Sequence, residues 1–176
     1  MSFLEIMHTY FRGEKLEALW FILPVGILLL TLGAVALKAE RGGFAWGVAI
    51  PCILFGLIFM GTGTGVRTRT KGQVDELEQA FHKSPAAMVQ KELPRMEKVN
   101  TNFKLTFMVF GVLVAVGLGV HYLGGPNWGR GLGATLILIS AIGLLVDGFA
   151  ERRAVPYTTA LEEIAGTQTT QTGGSD

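Results

Sequence analysis

Cysteine is almost missing: Cys52 is the only one in 176 residues, so no disulfide can form within the chain. Charge is scarce too. Asp, Glu, Lys and Arg make up 16% of the residues, where a soluble domain carries about a quarter. The three histidines, His8, His82 and His121, are far apart, and none has a carboxylate at metal-motif spacing. The sequence has no cysteine cluster, no nucleophile elbow and no pair of carboxylates inside an apolar run. These gaps argue against an enzyme, a metal or cofactor site, and a nucleic-acid partner.

What is present is apolar length. Hydrophobic residues make up 49% of the chain, and its mean hydropathy is +0.43. Four stretches, 18–37, 44–63, 105–123 and 131–149, carry almost no charge. At 1.5 Å per residue each reaches roughly 30 Å, the thickness of a bilayer's hydrocarbon core. A chain this short could not wrap four such helices in protein. The expectation is an all-α membrane protein with four spans. Ala34-Val35-Ala36 resembles a signal-peptide cleavage site, but the apolar run before it exceeds the roughly 7–15 residues of a signal core.

Twelve of the fifteen basic residues flank one side of these spans, leaving only Lys38, Arg41 and Arg130 on the other. Basic residues favour the cytosolic side, so both termini are expected in the cytosol of a cell with an inner membrane. Trp20 then marks the inner boundary, and Trp46, Tyr122 and Trp128 the outer one. Five segments follow: an interfacial helix over 1–15, a transmembrane hairpin over 16–65, and a cytosolic helical connector over 66–104. A second hairpin over 105–150 and a cytosolic tail over 151–176 complete the chain.

Residues 61–72, GTGTGVRTRTKG, look at first like a phosphate loop. Such a loop needs a preceding strand, a following helix N-terminus and a Gly-Lys-Ser/Thr ending. Here an apolar helix precedes it and that ending is missing. The stretch reads instead as a frayed helix end, with Arg67, Arg69 and Lys71 (and Arg152 and Arg153 later) as lipid-headgroup anchors.

Glycines repeat between the hairpins. Gly43 and Gly47 open the second span, as Gly129 and Gly133 open the fourth. Glycines four apart leave a flat strip for a neighbouring backbone, either inside the bundle or on a partner. Pro24 and Pro51 are expected to bend the first two spans. In the connector, Val74, Leu77 and Phe81 share a helix face, Ser84-Pro85 starts a second helix, and Pro94 interrupts it. Phe3, Met7 and Tyr10 form one face of the N-terminal helix, which Gly13 is expected to end. A capping box at Thr159–Glu162 is expected to start a short helix before a disordered tail.

Asp147 is the one ionisable group within a span, about a turn from its end. Such a group marks a functional site by default, though at this depth it can also pair with Arg152 or Arg67. The resulting expectation is a non-enzymatic protein that touches lipid and binds a membrane protein or its own copy. It would act as an accessory or protective, toxin-immunity-like partner. The alternative is a small channel or transporter subunit built around Asp147.

Overall fold

The computed structural model describes residues 2–172, and all of its regular elements are helices. They are α1 (Phe3–Glu17), α2 (Leu23–Ala39), α3 (Gly43–Lys83), α4 (Pro85–Leu123) and α5 (Arg130–Thr172). Two π-helical turns, Ala18–Ile22 and Gly125–Gly129, complete them. Because the first turn joins α1 to α2 without a break, the chain forms four rods, each at least 37 residues long. Each is roughly 60 Å long, about twice the hydrocarbon thickness. Every rod therefore has an apolar half long enough to cross a membrane and a polar half that continues beyond it. The fold is all-α, with four helices long and apolar enough to span a bilayer.

Local chemistry sets the ends. Ser2 caps α1 in a reciprocal box: the Glu5 amide donates to the Ser2 hydroxyl, and the Ser2 amide donates to the Glu5 carboxylate at 2.8 Å. Ser84 is the single residue between α3 and α4, and its hydroxyl accepts from the Ala87 amide beside Pro85, as the Ser-Pro step predicts. The π turn lies directly before Pro24. A proline ring clashes with the carbonyl four residues back, and the wider turn relieves that crowding.

Four local expectations are corrected, all in one direction: the helices do not stop. Residues 61–72 are not a frayed exit but lie within α3. Gly63 there packs against Leu23 and Ile22, and the Thr68 and Thr70 hydroxyls donate to carbonyls one turn back. Gly13 does not end α1, because its missing Cβ is where the Arg153 side chain passes. Pro94 does not interrupt α4, which is held on either side of it by buried Val89 and Met96. Thr159 starts no new helix either: α5 runs through it to Thr172, held by buried Tyr157 and Leu161. The first part of the tail is thus helical, and residues 173–176 lie outside the described ones. The connector is a helical hairpin whose arms continue the second and third spans.

Two cores hold the bundle. The membrane half is centred on Ile22, Leu29, Cys52, Phe59, Ile139 and Val146, drawn from the first, second and fourth spans. The head is centred on Met7, Phe11, Met88, Met96, Tyr157 and Leu161 and draws on every rod once its flanking residues are counted. Each fully buried side chain of that size contributes about 1.5–3 kcal/mol. In the membrane half the first span packs on the second, the second on the fourth, and the fourth on the third. The third span is therefore peripheral: 6% of its most apolar window is buried, against 28–39% in the others.

Candidate functional site

Where the membrane half meets the head, a partly open cavity of about 450 Å³ lies between α1, α3, α4 and α5. Ligand sites commonly have about 300–1,000 Å³. Phe55, Phe59, Phe103, Phe110 and Val146 make its membrane-side wall apolar. At the head end stand Glu14, Glu17 and Asp147 with Arg69, Arg95 and Arg153.

Helical spacing puts those charges there. The face carrying Phe3, Met7 and Tyr10 continues at the same period into Glu14 and Glu17, so both carboxylates point inward. Arg69, from residues 61–72, pairs with Glu14 at 3.0 Å across 55 residues. Arg153 pairs with Glu17, whose side chain is only 9% exposed. Beneath the cavity, Arg95 clasps the buried Glu92 with two hydrogen bonds, 2.6 and 2.7 Å long. The Tyr157 hydroxyl donates to the same carboxylate at 3.0 Å. Tyr157 also stacks on Tyr10, with ring centroids 4.9 Å apart. That bidentate bond holds the Arg95 guanidinium protonated well above its ordinary range. Burial and the Glu92 charge push the Tyr157 phenol up, and burial followed by the Glu14 charge pushes Tyr10 up to about 12.

Pairing is incomplete. Glu14 Oε2, Glu17 Oε1, Asp147 Oδ2 and Arg153 Nε are buried without a hydrogen-bond partner in the protein. Neither Arg152 nor Arg67, the neighbours expected of Asp147, forms an ion pair with it. Among the described residues, no group of three His, Cys, Asp or Glu side chains is placed to hold a metal ion. The arrangement offers an apolar wall, a charged end and spare hydrogen-bonding atoms, which is the chemistry of binding.

The other predicted positions separate by role. Gly47 meets the backbone of Trp128 and Leu132, and Gly133 meets Gly117 and His121 in the third span. Gly129 presses on Gly124 in its own turn, while Gly43 makes only ordinary contact with Trp128. These strips are used inside the bundle. Further along the same spans, Gly56 faces the Gly26 carbonyl whereas Gly143 faces the Phe110 ring. Arg67, Lys71 and Arg152 are exposed, whereas Arg69 and Arg153 are tied into the ion pairs above. Trp20, Trp46, Tyr122 and Trp128 are all exposed at the boundaries of the membrane half.

Sequence reasoning missed Glu14, Glu17 and Glu92. The signal was present: each carboxylate occupies an inward position of an apolar stripe, Glu92 falling between Met88 and Met96. Ending α1 at Gly13 and breaking α4 at Pro94 hid both stripes.

Fold and cavity together define a class, the multi-pass helical membrane protein with a helical head. No protein-family model, curated protein or solved structure matches the chain.

Proposed function

We propose that this chain is a non-enzymatic protein of a cell inner membrane, both termini cytosolic, that binds another membrane protein within the bilayer. A protective, toxin-immunity-like role is one form of such an accessory function. The observation carrying this reading is the third span. The tight mid-membrane glycines of the other spans are engaged, but a Cβ at Gly111 or Gly119 would meet no atom. Those two and the exposed Ala115 fall four residues apart on one face, flanked by exposed Met108, Val112 and Val116. Such a face admits a partner helix to close backbone distance. The occupant assigned to it is a transmembrane helix of a different protein.

A photoreactive amino acid at Val112, compared with one at the equally exposed Leu57 of the second span, tests this in native membranes. A discrete protein adduct at Val112 but not at Leu57 is expected. Equal adduct patterns, or none at either site, would overturn the reading, and an adduct of twice the chain's mass would replace the partner by a second copy. The channel or transporter alternative draws on the cavity around Asp147. That cavity ends mid-membrane at Phe55, Phe110 and Gly143, which weakens a through-path.

A further inference from the structure

We infer that the cavity at the base of the membrane half binds an amphipathic amine, its apolar part among the phenylalanines and its ammonium at Asp147 and Glu17. This goes beyond the partner reading and rests on different residues.

Charge counting selects the sign. Each of the three arginines at the site has a carboxylate of its own: Arg69 has Glu14, Arg153 has Glu17 and Arg95 has Glu92. Asp147 is left as the one acid without a cationic partner, so the site as a whole favours a single positive charge. Unpartnered atoms select the hydrogen-bonding pattern. Three buried carboxylate oxygens, on Glu14, Glu17 and Asp147, lack a donor, against one buried donor, Arg153 Nε, that lacks an acceptor. A buried polar atom left without a partner costs about 1–3 kcal/mol, more when charged. A ligand head with several N–H groups satisfies this excess of acceptors; a carboxylate or an alcohol does not.

Geometry selects an organic cation over an inorganic one. The acids are not gathered as a metal-holding group of three, and the volume of about 450 Å³ suits a body much larger than an ion. Val99, Phe103 and Phe110 on α4 and Val66, Phe59 and Phe55 on α3 supply the apolar part of the wall, with Asn102 and Thr106 beside it on α4. Ile58 and Thr62, both exposed, stand at its mouth at membrane level. An acyl or alkyl chain thus enters sideways from the bilayer while its head stops at the charged end. A phosphatidylethanolamine headgroup and a free alkylamine share this chemistry.

The test is native mass spectrometry of the protein released from maltoside micelles, titrated with dodecylammonium, with dodecanol as the uncharged control of equal tail. Wild type should prefer dodecylammonium at least tenfold, and Asp147→Asn should lose most of that preference. Thr62→Trp, which fills the mouth and leaves the charges, should weaken both probes. It also serves if the Asp147 variant accumulates poorly. A parallel titration with phosphatidylethanolamine and phosphatidylcholine separates the sources. Preference for the first, whose amine keeps its N–H groups, points to lipid, and equal binding points to a free amine. Equal affinity of wild type for dodecylammonium and dodecanol, or an undiminished preference in Asp147→Asn, would overturn the inference.

Discussion

Tyr10 shows how a single side chain ties pH to stability in the head. It is 7% exposed, and its phenol is pushed from 10.0 up to about 12 by burial and then by Glu14. Folding holds the proton more tightly than the unfolded chain does. Its contribution is therefore complete below pH 10 and falls away as pH rises from 10 towards about 12. Tyr157 shifts in the same direction, from burial and from Glu92. Thermal melting between pH 9 and 12 should show stability falling above pH 10, and Tyr10→Phe should flatten that fall. An unchanged alkaline slope in Tyr10→Phe would mean that other groups set it. The Asp147 side chain was legible in the sequence as an odd group in an apolar run. Its surroundings were not, because Glu17, which lines the same cavity, lies 130 residues earlier in the chain.

Among the elements, the four long apolar helices were readable, since length and apolarity alone decide them. Their continuation was not. Gly13, the glycines of 61–72, Pro94 and Thr159 all signal helix ends locally, and in each case packing or a long-range ion pair keeps the helix going. Propensity costs of about 1 kcal/mol per glycine and 3 per proline are smaller than what the head core returns. The same long-range packing ranks the glycines. A Cβ at Gly47 would stand 2.5 Å from the Trp128 carbonyl oxygen and 2.8 Å from the Leu132 amide, both backbone atoms that cannot swing away. Gly61, on the same helix, faces open space. Gly47→Leu should therefore lower the steady-state protein level several-fold, with Gly61→Leu near wild type on an immunoblot of membranes. Equal levels for the two would show that the second and fourth spans do not meet through Gly47.

At the scale of the whole molecule, half of the bundle is solvated by lipid and half by water, and the same four rods build both. The basic residues gather at the head end, which supports the proposed orientation with the head in the cytosol. With Cys52 replaced, His82→Cys should react with an impermeant maleimide only after the membrane is opened, and Gly42→Cys in intact cells. The reverse pattern would invert the protein. An outward-facing head would also place Arg67, Lys71 and Arg152 against the wrong leaflet. In the sequence, the proposed partner binding rested on the absence of catalytic motifs and on the glycine strips. The face proposed for it emerges from packing, since Gly117 and Gly119 look equivalent in the sequence. In the fold, Gly117 lies against the Gly133 carbonyl while Gly119 meets nothing.

That difference supplies the most direct measurement of whether a partner meets the third span: the Val112 crosslink, repeated with leucine at the two open glycines and at the closed one. Leucine at Gly111 and Gly119 blocks close backbone approach yet remains compatible with lipid. The double variant Gly111→Leu, Gly119→Leu should accumulate at wild-type level and lose the adduct at least tenfold. Gly117→Leu should lose the protein itself. A double variant that keeps the full adduct, or that disappears from the membrane as Gly117→Leu does, would contradict a docking face on the third span.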